Sequence, residues 1–160
     1  MLFEILYQTG IRKAELIGLR DGDVDAMEMR IKVLGKRNKE RFIPVSREML
    51  QMIKHYQALR DERFATHADR LLLNDKGEEM TPYFVYNKVH QILEEVTSLK
   101  QKSPHVLRHT FATHLLDEGA SLLAIQKLLG HTELATTQVY AHNTIEQLKK
   151  IHEQAHPKGG

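Results

Sequence analysis

The sequence contains no cysteine and no tryptophan among its 160 residues. Without thiols there is no disulfide framework, no thiolate nucleophile and no Cys-ligated zinc. No run approaches the ~20 apolar residues of a membrane span. The opening residues MLFEILYQTG carry Glu4 and no basic region, so they do not read as a secretory signal. There is no GxxxxGK[ST] or GxGxxG loop for a nucleotide, no internal repeat and no low-complexity tract. What is present is an ordinary globular balance, 41% hydrophobic and 28% charged residues. These features are expected of one cytoplasmic domain over residues 1–160 with a real core. The first helix begins without a cap or leader, which is expected of a piece of a longer protein.

Net charge is only +2, yet the charge is uneven. Between Arg30 and Arg47 stand seven lysines and arginines against one acid, Glu40. From Thr97 to Leu116 there is no acid, but Lys100, Lys102, Arg108 and three histidines. Such faces suit a polyanion such as nucleic acid. A solvated face balanced by acids elsewhere is the plainer alternative.

Hydrophobic periodicity predicts a mainly helical α+β domain with a small antiparallel sheet. Helices are expected over 1–8, broken by Gly10, and over 12–19. Met27, Met29, Ile31 and Val33 alternate with polar residues and predict a strand. Gly35 to Lys39 is a turn, and Arg41 to Val45 a returning edge strand ending near Pro44. Together they predict a basic hairpin over about 27–45. Ser46 caps a helix to Arg63 with Met49, Ile53, Tyr56 and Leu59 on one face. Leu71 to Leu73 is expected as a third short strand. Thr81 with Pro82 starts a helix to about Val96, and Ser103 with Pro104 starts another. The latter has a core stripe of Leu107, Phe111 and Leu115. Leu122 to Leu129 is helical up to Gly130, Thr132 caps a helix to about Ala141, and a last helix covers about 145–154.

Several residues could carry chemistry. His105 and Arg108 share one face of the first turn of their helix, where backbone N–H groups favour an anion. An ordinary capped helix with polar residues outward explains them equally well. His131 follows Gly130 in a turn, and Tyr140 lies nine residues on, a position that half-buried packing often fills. Arg12 stands one turn before Glu15, as in a simple ion pair. Lys36 at a hairpin tip fits solubility alone. His105 and His109 could in principle hold a metal at i, i+4, but Val106 stands where a zinc protease has Glu. As a set, two arginines, two histidines, a lysine and a tyrosine supply the clamp, acid, base and nucleophile that metal-free phosphoryl transfer needs.

Four segments carry a resemblance: TGIRKAEL (9–16), GKRNKERFIPV (35–45), SPHVLRHTFATHLL (103–116) and IQKLLGHTELATTQVYAH (125–142). In this order they resemble the catalytic domain of tyrosine site-specific recombinases, the phage-integrase family, closest to the Xer type. The resemblance implies the fold of DNA breaking-rejoining enzymes. It implies that Arg12 and Arg108 clamp the scissile phosphate, that Tyr140 forms a 3′-phosphotyrosyl bond and that Lys36 protonates the leaving 5′ oxygen. It further implies His105 as proton acceptor, His131 as phosphate donor and Glu15 as a supporting acid. No cofactor and no metal is expected. The expected partners are double-stranded DNA, contacted by Lys32, Arg37, Lys39, Arg41 and Lys102, and other subunits. A tetramer is expected on DNA and a monomer when free, with no membrane partner. The core DNA-binding domain of the family has no counterpart in these residues, and 144–160 is expected as a helix and tail exchanged between subunits.

The hairpin departs from the family's Gly-Lys-Gly-Asn-Lys: Arg37 replaces the second glycine, a strained choice if that position has positive φ. Two alternatives stand beside this reading. Type IB topoisomerases use a similar site to nick and reseal DNA. A helix–turn–helix over 122–141 would bind DNA without needing Tyr140.

Overall fold

The computed structural model describes residues 1–65 and 68–130. Helix α1 (Leu2–Thr9) ends at Gly10, whose φ of 64° reverses the chain into α2 (Lys13–Gly18). Three short strands follow, β1 (Val24–Asp25), β2 (Arg30–Leu34) and β3 (Glu40–Pro44). They form one antiparallel sheet in the order β1-β2-β3, with Ile31 opposite both Val24 and Ile43. Pro44 sits at the end of edge strand β3, where its missing N–H breaks no ladder. Helix α3 (Arg47–Arg63) is capped by the Ser46 side chain, which accepts from Met49 N–H. Helix α4 (Pro82–Val96) is capped by Thr81, which accepts from Phe84 N–H. Helices α5 (Pro104–Asp117) and α6 (Leu122–Leu129) complete the described fold.

The main core gathers Ile5, Leu6, Leu16, Ile31, Val33, Ile43, Ile53, Val85, Val89, Leu93 and Leu107. The sheet buries Ile31, Val33 and Ile43 on one face and turns Arg30 and Phe42 outward, the guanidinium 4.2 Å above the ring. A second, smaller core joins Ala112 of α5 to Ile125 and Leu129 of α6. Helix α5 therefore contributes to both cores, Leu107 to the first and Ala112 to the second.

The helical α+β architecture matches expectation, and four details are corrected. Met27 and Met29 are not strand residues. They lie in a turn where the Asp25 carboxylate accepts from Glu28 N–H and Met29 has a φ of 48°, so the alternating pattern continues past the real strand. The third strand is β1 rather than 71–73. Leu73 makes only an isolated bridge to Glu79, and Leu71 N–H donates to the Leu19 carbonyl. On α3, Leu59 is exposed and Arg60 is buried, because Arg60 reaches Asp21 and the carbonyls of Arg70 and Leu71. Ser103 precedes α5 but makes no side-chain cap, and Phe111 and Leu115 are only partly buried. The helices expected over 132–141 and 145–154 lie outside the described residues.

Candidate active site

Four of the expected residues come together. Arg12, Lys36, His105 and Arg108 line one open cleft of about 390 Å³, with Lys13, Tyr86 and Ser103 beside them. They arrive from four places: the start of α2, the β2–β3 turn, and the first and second turns of α5.

Arg108 is buried, although it is charged. Its Nη1 donates to the Gly10 carbonyl at 2.7 Å and its Nη2 to the Leu129 carbonyl at 2.8 Å. Gly10 is required at that point twice over. Its backbone is left-handed, and an added Cβ would lie 2.4 Å from Phe111 Cδ1. Arg12 Nη1 donates to the same Leu129 carbonyl at 3.3 Å, and its Nη2 to Gly130 at 3.4 Å. The end of α6 thus accepts from both arginines where its dipole is negative.

Glu15 holds the opposite side. Its Oε2 accepts from Arg12 N–H at 2.8 Å, which closes the first turn of α2, and its Oε1 accepts from Arg12 Nη1 at 3.1 Å. Arg41 donates to both oxygens at 2.8 Å. Burial alone would push the Glu15 carboxyl up. The hydrogen bonds from Arg41 and the Arg12 backbone, with both positive charges, outweigh burial and hold it below the ordinary glutamate value.

His105 is exposed at the cleft and His109 is buried one turn behind it. Their Nε2 atoms lie 2.7 Å apart, with the rings edge to face. One Nε2 must donate and the other accept. The i, i+4 spacing is visible in the sequence, but as a metal pair. Among the described residues no group of three or more His, Asp or Glu could hold a metal ion.

Lys36 is exposed at its turn, and Arg37 follows with φ 60° and ψ 32°. The residue that replaces glycine therefore occupies a left-handed backbone, at a cost of roughly 1 kcal/mol. Of the other basic residues expected at DNA, Arg37 and Lys39 are exposed. Lys32 stands 3.6 Å from Asp23 and 3.8 Å from Glu40, and Lys102 is 2.8 Å from Glu94. Arg41, also expected at DNA, has its guanidinium turned inward onto Glu15 and the Leu128 carbonyl. No local pattern signals that, because Glu15 and Arg41 are 26 positions apart. His131 and Tyr140 lie outside the described residues.

A model of the phage integrase family matches residues 1–147. The chain belongs to the phage integrase family. It is 41% identical over 158 residues to "Tyrosine recombinase XerC" of Staphylococcus saprophyticus, and 40% identical over 158 residues to that of Staphylococcus aureus. Both alignments cover 99% of this chain and 53% of the relative, so the chain spans about half the length of these curated relatives. Among solved structures it resembles XerA recombinase, with a TM-score of 0.76, 32% identity, and coverage of 96% of this chain and 56% of that one. It also resembles XerH site-specific recombinase bound to difH substrate, with a TM-score of 0.74, 26% identity, and coverage of 95% and 45%. These integrase-family likenesses favour neither the topoisomerase nor the helix–turn–helix alternative. No helix among the described residues is long and apolar enough to cross a membrane.

Proposed function

We propose that this chain is the catalytic domain of a site-specific DNA recombinase that cuts and rejoins strands through a phosphotyrosine. The observation that carries the reading is the meeting of Arg12, Lys36, His105 and Arg108 in one cleft. Two planar guanidiniums held on backbone carbonyls match the non-bridging oxygens of a phosphodiester. The Tyr140 hydroxyl oxygen attacks phosphorus and the bond to the 5′ oxygen breaks. The tyrosine proton passes to His105, and Lys36 gives a proton to the departing 5′ oxygen. His131 donates to the phosphate. The bond energy is kept in the phosphotyrosine, so resealing requires neither ATP nor a metal. Duplex DNA is the substrate, bound by the exposed basic turn at Arg37 and Lys39, and the working assembly is a tetramer of subunits on DNA. The family relationship supports this reading, as does the difH complex named for the XerH structure.

The test is covalent capture. The chain is mixed with a nicked suicide duplex carrying a Xer-type half-site, and a denaturation-resistant adduct is mapped by mass spectrometry. The expected adduct is on Tyr140 and absent in Tyr140→Phe. DNA binding with no adduct, or an adduct on another residue, overturns the reading. Relaxation of supercoiled DNA lacking the site would favour the topoisomerase alternative.

A further inference from the structure

Arg41 lies on β3, five residues beyond Lys36, and its guanidinium sits at a junction of three elements. It makes a two-pronged ion pair with Glu15 of α2, both contacts at 2.8 Å. Its Nε donates to the Leu128 carbonyl of α6 at 2.7 Å. The side chains of Arg41 and Glu15 are only 12% and 5% exposed. The guanidinium also fills the space between two glycines. A Cβ on Gly35, which opens the Lys36 turn, would lie 3.3 Å from Arg41 Nη1, and one on Gly130 would lie 3.1 Å from the same atom. Gly35 N–H in turn donates to the Lys39 carbonyl at 2.9 Å and closes that turn.

An arginine used on DNA phosphate would present its fork to solvent. Here the fork is engaged with a buried carboxylate, and withdrawing it would leave Glu15 with half its partners. The geometry instead makes a strut. The Lys36 turn projects from the sheet as the loop of its own hairpin, whereas Arg12 and Arg108 are fixed on α6 and Gly10. Arg41 connects the two.

We propose that Arg41 is a positioning residue for Lys36. By tying the base of its turn to Glu15 and to the end of α6, it sets where the lysine stands relative to Arg12 and Arg108. This rests on the recombinase reading above, in which Lys36 is the general acid. A misplacement of about 1 Å in such a group slows the chemical step by about a hundred-fold.

The experiment compares single-turnover adduct formation on two suicide duplexes, one with the natural 5′ oxygen at the scissile bond and one with sulfur there. A thiolate, with a thiol pKa of roughly 8.5, leaves without a donated proton. Wild type forms the adduct on both. Arg41→Met is expected about a hundred-fold slower on oxygen and close to wild type on sulfur, the pattern expected of Lys36→Ala. Arg41→Lys keeps the charge and loses the fork, and is expected to share the loss. If Arg41→Met does not unfold cooperatively in urea, Arg41→Met with Glu15→Gln removes both buried charges and carries the same comparison. Equal slowing on both duplexes overturns the proposal, as does weaker DNA binding with an unchanged chemical step or full activity in Arg41→Lys. If wild type gives no adduct on either duplex, it is the recombinase reading that falls. The strut is then judged by hydrogen exchange of the Gly35 amide, expected faster in Arg41→Met, and unchanged exchange overturns it.

Discussion

Arg108 donates to the carbonyl of Gly10 at 2.7 Å across 98 positions of sequence. This bond joins the second turn of α5 to the reversal between α1 and α2, and so brings one arginine of the cleft beside the other. It depends on a residue without a side chain, because the carbonyl faces α5 only while Gly10 is left-handed.

Gly10→Ala is accordingly expected to destabilise the domain by about 2–4 kcal/mol. A left-handed Ala costs roughly 1–2 kcal/mol, and its Cβ would collide with Phe111 and Leu129. Gly18→Ala is the control, since a Cβ there meets nothing within 4 Å. Urea unfolding midpoints of the two variants check the difference.

Arg60 is a larger structural commitment than any surface ion pair. It is buried, and donates to Asp21, to Asp61 and to two carbonyls before β-bridge residue Leu73. The hydrogen bonds it donates to Asp21 above all keep it firmly protonated. Arg60→Met strands the Asp21 and backbone acceptors and is expected to cost about 3–5 kcal/mol. Arg20→Met, whose pair with Asp69 is largely exposed, is expected to cost under about 1 kcal/mol. Thermal unfolding distinguishes the two.

Glu15 makes stability depend on acidity in a defined direction. Its folded carboxyl titrates below its unfolded value, despite burial, because Arg41 and Arg12 favour the charged form. Its contribution is therefore complete above the unfolded value of roughly 4.3 and disappears as pH falls through the lower folded value. Glu15→Gln is expected to flatten this acid limb of the stability curve while lowering stability at neutral pH. Urea unfolding between about pH 3 and pH 7 spans that window. An acid limb unchanged in Glu15→Gln would assign the effect to other carboxylates.

The histidine pair predicts complementary tautomers. With the two Nε2 atoms 2.7 Å apart, one ring carries its proton on Nε2 and the other on Nδ1 when both are neutral. Long-range proton–nitrogen NMR at about pH 8 reads this directly. Two identical tautomers would show that the rings do not bond in solution. His109→Phe is expected to move the His105 ring signals while leaving the α5 amides in place.

Much of this molecule is written locally. Ser46 and Thr81 cap their helices because a side-chain oxygen three residues before an amide needs no distant partner. Gly10 and Gly130 end α1 and α6 for an equally local reason, a left-handed backbone. The Arg12–Glu15 pair follows from helical spacing alone. The alternation from Met27 to Val33 misleads because a turn exposes apolar residues at the same period as a strand, and only the pairing of β1 with β2 decides where the ladder starts.

The composition of the cleft was legible as motifs in order, but its assembly was not. That Arg12, Lys36, His105 and Arg108 meet, that Arg41 faces Glu15 rather than solvent, and that Arg60 rather than Leu59 is buried all turn on partners 10 to 118 positions away. Residue types and periodicity determine which faces are apolar and which helices begin and end. Only the tertiary structure decides which carbonyl or carboxylate a guanidinium finds, because a long flexible cation takes its position from whichever acceptors the packing leaves within reach.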